Sequence, residues 1–385
     1  MKHEAEIATR FCNAYYCNRE DIALSQPVVN NTPTVMSTIS AKAFDVFCSI
    51  GGLSYGLQKS GITVVAGLDI DATCRYAYEE NCQAEFVHSD IRSVSYADIS
   101  SYFDGAKYRI LVGCAPCQPF STHTSKHRKN NEDFRWNLIN EFLRLVTEGM
   151  PEVVSMENVP ALKSKEVYRK FKSTLRRHGY RIADGIIPCA HFGVPQSRRR
   201  LVLLASLLED ICLPGKRVED PITVRRAIGH LENLAHGEAS PTDPMHVCRS
   251  LSPINFRRIQ ASVPGGSWRD WPRELLPACY RKSSGGTYLN VYGRMSWDKP
   301  APTLTTQFHG YGTGRFGHPE QDRALSLREG AILQTFPEDY KFCPLGEKPT
   351  FSVIGKHIGN AVPPLLATAI GSSIINHLES VDARL

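Results

Sequence analysis

The sequence predicts an α/β fold in which a doubly wound sheet carries a second, smaller domain. From Ala43 to about Leu213, short apolar runs alternate with helical stretches, a pattern typical of a parallel sheet with helices on both faces. Beyond Leu213 the alternation stops, and Pro- and Gly-rich sequence runs to about Thr350. The amphipathic stretch NAVPPLLATAIGSSIINHLESV then predicts a helix that packs back onto the sheet domain.

Apolar spacing and end signals define the individual elements. The predicted strands are AFDVFCSI, TVVAGLDI, YRILVGC, EVVSMENV and RRLVLLAS, and one more strand precedes HSDI. The predicted helices are GLSYGLQKSG, DATCRYAYEENC, WNLINEFLRLVTEG and VYRKFKSTLRRHG, several of them closed by glycine. We expect an N-terminal arm or linker over 1–40, a sheet domain over 41–213 and 350–385, and a small domain over 214–349.

The net charge of +6 is concentrated in one segment. Residues 221–318 hold 12 Lys and Arg against 6 Asp and Glu, and this excess of 6 equals the charge of the whole chain. The same segment carries Trp268, Trp271 and Trp297. Basic and aromatic side chains in loop-rich sequence suit a polyanion with stackable bases. A solvated surface with scattered aromatic residues is the alternative.

Composition also excludes several classes of protein. The chain contains no stretch of about 20 apolar residues and no secretory signal pattern, so we expect a cytoplasmic protein without a membrane partner. Its 12 cysteines are scattered, which indicates reduced thiols rather than a disulfide scaffold. Since C-x-x-C occurs once and no second Cys or His pair completes a zinc pattern, no metal is expected.

Polar groups at successive strand ends predict a nucleoside-containing cofactor. Gly51 and Gly52 open a helix directly after a strand, where free backbone N–H groups can meet a ligand. Asp69 ends the next strand and suits a ribose, and Asp90 follows another strand and suits an adenine amino group. The acidic Asp45 beside the first loop disfavours phosphates. Aspartates that only cap helices are the alternative explanation.

The segment GCAPCQPFS, residues 113–121, follows a strand in the crevice where doubly wound sheets bind ligands. Its cysteine spacing allows a redox pair, but a flexible polar segment follows where such a pair would open a helix. We therefore predict that Cys117 is a nucleophile and that Cys114 is a bystander.

A carboxylate and two guanidinium groups accompany this cysteine. Glu157 ends a strand beside Asn158, and a buried carboxylate there is costly without a partner or a task, although it could simply cap the next helix. Arg198 and Arg200 are two residues apart and so share one face of a strand with Gln196, while Arg199 faces the other way. An anion-lined or base-lined pocket is the prediction.

Together these segments resemble the DNA cytosine-C5 methyltransferases from about Phe44 to about Ser373. The stretches DVFCSIGG, APCQPFS, DFRWNL, MENV, QSRRR, RALSLREGAILQTFP and IGNAVPP follow one another in that family's order. The resemblance implies a Rossmann-like, class I methyltransferase fold with S-adenosylmethionine as cofactor. Its catalytic domain would span 41–213 and 350–385, and its target-recognition domain 214–349.

The resemblance also implies a mechanism on a cytosine flipped out of duplex DNA. Cys117 would attack C6, Glu157 would bond N3 and the exocyclic amine, and C5 would accept the methyl group. Arg200 would contact the base, Arg198 would orient Glu157 and the loop, and Asn158 would help hold the site. The implied cofactor contacts are Phe47, Gly51, Gly52, Leu53, Asp69, Ile70, Asp90, Ile91, Pro116, Leu138, Asn360 and Val362, and the implied nucleic-acid contacts are Gln118, Ser121, Gln196, Thr303 and Leu304.

Two positions depart from the family pattern. Ser49 stands where glycine is usual and would narrow the methionine site or only add a hydroxyl, and Asp69 stands where glutamate is commoner, which would loosen the ribose contact. The partners implied are double-stranded DNA and a cognate restriction endonuclease or other defence proteins, with a monomeric enzyme in the cytoplasm that joins the nucleoid on binding DNA. The alternatives are cytosine methylation in RNA, a catalytically silent nucleic-acid-binding protein and a redox enzyme.

Overall fold

The computed structural model describes residues 39–116, 132–282, 286 and 290–384, and of residues 132–137 it describes the helical backbone only. The predicted N-terminal arm therefore lies almost entirely outside the described residues. Within them the strands are β1 Ala41–Val46, β2 Thr63–Asp69, β3 Glu85–His88, β4 Tyr108–Gly113, β5 Val153–Asn158, β6 Arg181–Pro188 and β7 Arg199–Ser206. They form one sheet in the order β3-β2-β1-β4-β5-β7-β6.

Helices connect and cover these strands, and the predicted α/β class is confirmed. The four helices predicted within the sheet region are present, at most a few residues longer or shorter than expected, and the C-terminal helix is present as well. The helices between β7 and residue 360 were not predicted. In chain order the α-helices are α1 Gly52–Lys59, α2 Arg75–Cys82, α3 Tyr96–Ile99, α4 Glu132–Gly149, α5 Glu166–Arg177, α6 Val224–Ile228, α7 Pro253–Gln260, α8 Leu327–Leu333, α9 Phe351–Asn360 and α10 Pro364–Asp382.

The prediction of a wholly parallel sheet is wrong at β7. Strands β1 to β5 pair in parallel, whereas β7 pairs antiparallel with both β5 and β6. The short connection 189–198 between β6 and β7 carries no crossover α-helix, and a parallel pairing needs a connection of about a dozen residues or more. Strand β6 was missed because it is a half-exposed edge strand with an internal Gly185 and a final Pro188.

Alternate residues of the strands feed two apolar cores. Ala43, Ile110 and Val202 belong to one cluster, whereas their neighbours Phe44 and Leu111 belong to the other, as the side-chain alternation of a strand requires. Both faces of the sheet are therefore buried, and the polar positions are left to the strand ends.

The C-terminal helix α10 packs on α1 in the first of these cores. A Cβ atom on Gly56 would lie 2.4 Å from the Cβ of Ala367, so the two helices approach each other at small residues. The stretch Phe351–Asp382 is long and apolar enough to cross a membrane by composition, but 72% of its most apolar window is buried inside this protein. This burial is that of a core helix.

The recognition segment 221–318 differs from its prediction in the use of its tryptophans. Trp268 and Trp271 are buried in a third apolar cluster with Ile259 and Tyr311, so they stabilise this segment and do not offer free faces to bases. Trp297 is half-buried, with the Arg225 guanidinium 5.3 Å from its ring centre. The cysteines also show one departure, because Cys212 is disulfide-bonded whereas eight other described cysteines have free thiols. Composition describes the whole chain and could not single out one pair.

Candidate functional site

The antiparallel direction of β7 builds the candidate site. Glu157 and Asn158 end β5 and pair with Val202 and Leu201 near the start of β7. The beginning of β7 therefore lies at the same sheet edge as the carboxyl end of β5. This places Arg200 beside Glu157, as the shared-face prediction requires, although a parallel β7 would have sent the arginine to the opposite edge.

Glu157 is 2% exposed and is held from two sides. The Arg200 Nε atom lies 2.7 Å from Glu157 Oε1, with the arginine side chain 11% exposed. The angle of this contact does not make a hydrogen bond, so Oε1 has no hydrogen-bond partner among the described residues. The Cys114 thiol donates to Oε2 over 2.8 Å. Cys114, placed directly after β4, therefore contacts the end of β5, which leaves the prediction that Cys117 is the nucleophile as it stands.

Arg198 lies in the protein interior, but its guanidinium bonds to the backbone and makes no described hydrogen bond to Glu157. It donates to the carbonyl oxygens of Leu304 at 3.1 Å, Gly359 at 3.5 Å and Ala361 at 3.3 Å. The prediction that Arg198 orients Glu157 is therefore not supported by a direct hydrogen bond among the described residues. The Arg198 guanidinium instead binds carbonyl groups that are distant in the sequence. Its Nε atom is buried without a partner among the described residues.

The surroundings of Arg198 disfavour its charged form. Burial, followed by the nearby positive charge of Arg200, lowers the pKa of Arg198 to about 9, although the Glu157 carboxylate opposes this change. Two buried or half-buried cations beside one carboxylate give this sheet edge a net positive field.

Asn158 ties two strand ends together. Its amide Nδ2 donates to the carbonyl of Ala115 over 3.1 Å, and its Oδ1 accepts from the backbone N–H of Val159 over 2.8 Å. The predicted holding role of Asn158 thus has a physical counterpart. The predicted nucleophile Cys117, with Gln118 and Ser121, lies outside the described residues, which end at the exposed Pro116 on this side.

Two of the predicted nucleic-acid contacts are inside the protein. Gln196 is fully buried, and its amide bonds the Leu333 carbonyl and the Gln334 side chain over 2.7 Å each while its oxygen accepts from Leu304 N–H over 2.9 Å. Leu304 is also buried. The prediction of direct DNA contacts by these two side chains is therefore wrong in this conformation, since their polar groups and surfaces already face protein. Thr303 is exposed.

The predicted cofactor loop has an unusual backbone. Phe47, Ser49 and Gly51 all have positive φ, at 68°, 49° and 90°, and non-glycine residues in this region carry strain that recurs at ligand sites. A Cβ atom on Gly52 would lie 2.4 Å from the Val362 carbonyl oxygen, so glycine is required where the C-terminal segment meets the loop. Leu53 is buried behind it.

Asp69 supports this loop from the end of β2. Its two carboxylate oxygens accept from Ser49 N–H and Asp71 N–H over 2.9 Å each. Burial raises the pKa of Asp69, and these bonds oppose the rise. Ser49 therefore binds through its backbone N–H to the carboxylate that was predicted to contact a ribose. The neighbouring Ile70 is 64% exposed, an apolar surface that a flat ring could cover.

The remaining predicted cofactor positions have mixed surroundings. The Asp90 carboxylate caps the turn at Ile91–Ser93 and accepts from Arg92 Nε at 2.9 and 3.0 Å. Hydrogen bonds from Arg92 lower the pKa of Asp90. An adenine amino group would have to share this carboxylate with Arg92. Ile91 and Val362 are buried, Leu138 is half-buried and Asn360 is exposed.

Asp45 is a buried acid that sequence reasoning used only as an argument against phosphates. The Ser54 hydroxyl donates to Asp45 Oδ2 over 2.7 Å, and Oδ1 has no partner among the described residues. Burial raises the pKa of Asp45 to about 7. A signal in the sequence existed, since an aspartate inside the apolar run AFDVF is unusual for a strand buried on both faces.

Three potential metal ligands, Asp71, Cys74 and His357, lie within 4.8 Å of one another. Their contacts account for the arrangement without an ion: Lys356 Nζ is 2.7 Å from Asp71 Oδ2, and the His357 ring bonds the Thr73 hydroxyl over 3.1 Å. Burial raises the pKa of Cys74 to about 12, so its thiol is protonated in these surroundings. We assign no metal to this cluster.

The comparisons with known proteins follow the same residues. The family model of the C-5 cytosine-specific DNA methylases matches residues 41–376. The chain belongs to this family. The Type II methylase M.HgiDII of Herpetosiphon aurantiacus is 46% identical over 345 residues, which cover 88% of this chain and 96% of the relative. The Type II methyltransferase M.Eco47II of Escherichia coli is 31% identical, with 93% and 82% covered.

Solved structures agree on the fold. The Entamoeba histolytica methyltransferase EhMeth superposes with a TM-score of 0.62 at 17% identity, over 88% of this chain and 99% of the other. The family and the enzyme class, DNA (cytosine-5)-methyltransferase, that the ordered motifs predicted are confirmed. Methylases of this family generally use S-adenosylmethionine.

Proposed function

We propose that this protein methylates C5 of a cytosine flipped out of duplex DNA, through a covalent bond between Cys117 and C6, within a restriction-modification or other defence system. The observation that carries the proposal is Glu157, a buried carboxylate at the ligand-binding edge of the sheet with a lone pair still unused. The resemblance of the whole chain to Type II methylases supports a role in defence.

Glu157 would recognise and activate the base. In the protonated form it can donate to N3 of cytosine while its other oxygen accepts from the exocyclic amine, which draws electron density out of the ring. Arg200 lies 2.7 Å from Oε1 and keeps the carboxyl group at this edge. A ring activated in this way is open to a nucleophile at C6.

Cys117 would be that nucleophile. It follows Cys114 by three residues, and Cys114 already touches Glu157. The positive field of Arg198 and Arg200 favours a thiolate over a thiol. The new S–C6 bond gives C5 an electron pair, which forms the bond to the methyl group. Loss of the C5 proton then leaves the C5–H electron pair to form the C5=C6 double bond, which expels the Cys117 thiolate and frees the enzyme.

The residues around the first loop fit S-adenosylmethionine, which when bound supplies an electrophilic methyl group. Asp69 would accept the ribose hydroxyls, Ile70 would cover the adenine, and the unpartnered Asp45 Oδ1 is a buried oxygen with a lone pair free for a polar group of the ligand. The strained backbone at Phe47 and Ser49 shapes the cradle. Pro116, Leu138, Asn360 and Val362 would complete the walls.

Duplex DNA would be bound by the small domain over 214–349, whose segment 221–318 holds the positive charge of the chain. Thr303 is the exposed member of the predicted contacts there, and Gln118 and Ser121 would approach the base from the segment after Cys117. A base inside a duplex is out of reach of a buried carboxyl, so it must be flipped. We place the enzyme in the cytoplasm as a monomer, with a cognate restriction endonuclease as its partner in defence.

The test is transfer of labelled methyl from S-adenosylmethionine to mixed-sequence duplex DNA, followed by bisulfite sequencing. We expect 5-methylcytosine at one short recurring sequence, and no labelled product from Cys117→Ser. Transfer of methyl to tRNA in place of DNA would favour the RNA alternative. Cofactor binding without any transfer would favour a silent binding protein, and full activity in Cys117→Ser would contradict the covalent mechanism.

A further inference from the structure

Glu157 is held by two groups from different elements. Arg200, on β7, approaches Oε1, and Cys114, directly after β4, donates its thiol hydrogen to Oε2 over 2.8 Å. A second link joins the same two strand ends, from the Asn158 amide to the Ala115 carbonyl. The carboxylate therefore has one neighbour for each oxygen, and the end of β5 is fixed to the end of β4 at two consecutive residues.

We infer that Cys114 is a positioning residue for Glu157 and so for the methyl transfer proposed above, on which this inference rests. A carboxylate oxygen has two lone pairs, so Oε2 can accept from the thiol and still face a base. The thiol bond leaves the carboxyl group available and restricts its rotation.

Without this bond, Glu157 would keep only the Arg200 contact, whose angle does not make a hydrogen bond. The terminal torsion of a glutamate is broad, so a single poorly directed ion pair does not define the plane of the carboxyl group. Two hydrogen bonds to a base require that plane to be correct, because a misplacement of about 1 Å costs about a hundredfold in rate.

Three variants test the inference on the duplex site mapped by bisulfite sequencing. Cys114→Ala removes the donor, Cys114→Ser keeps a donor on a slightly shorter side chain, and Cys343→Ala is the matched control, a half-buried cysteine whose thiol faces the Glu347 carbonyl. The measurements are kcat, KM for DNA and the thermal midpoint of unfolding.

We expect Cys114→Ala to lower kcat about tenfold or more, as for a lost hydrogen bond to a charged group, with KM for DNA within about twofold. Cys114→Ser should recover most of kcat, and Cys343→Ala should match the wild type. A wild-type kcat in Cys114→Ala, or equal losses in the Ala and Ser variants, would overturn the inference. Absence of methylation by the wild-type protein would instead contradict the proposed function.

Discussion

Two buried glutamates in this protein are each paired with arginine, and they are treated differently. Glu329 on α8 accepts from Arg323 at 2.7 and 2.8 Å, one bond to each oxygen, and also from Ser326 N–H over 2.7 Å. Glu157 at the sheet edge has an ion pair to Arg200 without a hydrogen bond and a thiol as its only described donor. Both carboxylates are almost fully buried.

The difference separates a group that supports the fold from one that is available for chemistry. The buried side-chain atoms without a described partner belong to four residues, and three of them, Asp45, Glu157 and Arg198, lie at or near the carboxyl ends of the strands. The fourth is His309. Interiors normally satisfy such groups, so unsatisfied ones at a ligand-binding edge are typical of a site whose remaining partners arrive with the ligands.

The largest effect that distinguishes the two glutamates is expected from substitution of Glu157. We expect Glu157→Gln to lower single-turnover methyl transfer about a thousandfold, because an amide can hydrogen-bond to N3 of the base but cannot transfer a proton to it as a protonated carboxyl can. Stability should change little, since the partly exposed Arg200 can be hydrated. The matched control is Glu152→Gln, at the other end of β5, whose carboxylate pairs with Arg109 at the same 2.7 Å distance. Equal activity losses in the two variants would remove the distinction between the sheet edges.

Substitution of the other glutamate, Glu329, tests the same contrast from the side of stability. Glu329→Gln should cost about 3 kcal/mol of unfolding free energy, because it leaves the fully buried Arg323 without its counter-charge, while activity per folded molecule stays within about threefold. Urea unfolding measures the cost. Glu80→Gln, which breaks an exposed pair to Lys341, is the control and should cost about 1 kcal/mol or less.

The wild-type protein and Glu329→Gln should also differ in how their stability responds to acid. Burial alone would raise the pKa of Glu329, but the charge and hydrogen bonds of Arg323 outweigh it and lower the pKa to about 2, against 4.5 for an ordinary glutamate. The stability that Glu329 contributes is therefore complete above about pH 4.5 and is lost as the pH falls toward 2. Urea unfolding between pH 5 and 3 should show this decline in the wild type and a smaller one in Glu329→Gln.

Asp45 is a second test of the pH dependence of stability, and there the sign is opposite. Burial raises the pKa of Asp45 to about 7 from 3.8, so the folded chain retains a proton that the unfolded chain has lost. Its stabilising contribution is complete below about pH 3.8 and disappears as the pH rises to 7. Asparagine imitates the protonated acid, so the stability of Asp45→Asn relative to the wild type should rise by about 3 kcal/mol between pH 4 and pH 8.

The check is urea unfolding of Asp45→Asn, the wild type and the exposed control Asp104→Asn at pH 4, 6 and 8. The advantage of Asp45→Asn should vanish at pH 4, and Asp104→Asn should follow the wild type throughout. Parallel stability profiles for all three proteins would show that Asp45 is ionised in the folded state near neutral pH.

Local patterns in the sequence predicted what depends on neighbours along the chain. The strand that ends in Glu157, the shared face of Arg198 and Arg200, and the glycines of the first loop all follow from periodicity and turn chemistry. What the sequence did not predict depends on distant partners. The carbonyl groups that accept from Arg198 are 106 to 163 residues away in the chain, and no local pattern points to them.

The errors have the same origin. Gln196 was assigned to DNA from the family resemblance and from its place on the face of Arg198 and Arg200, yet its bonding partners come from 304 and 333–334. Cys114 was predicted to be a bystander because the polar segment after it does not suit a redox pair, whereas its contact with Glu157 depends on the register between β4 and β5. The direction of β7 was assumed from alternation, and a short connection reversed it.

The meeting of the two ends of the described chain at the first loop bears on when this protein can become active during its synthesis. The Tyr340 hydroxyl donates to the carbonyl of Ile50, 290 residues earlier, the Val362 carbonyl closes over Gly52, and α10 packs on α1. A nascent chain still on the ribosome lacks these late residues and so lacks one wall of the loop. A chain that lacks α10 would therefore lack the packing that closes the first loop, and the loop should take its final form only after α10 has been synthesised.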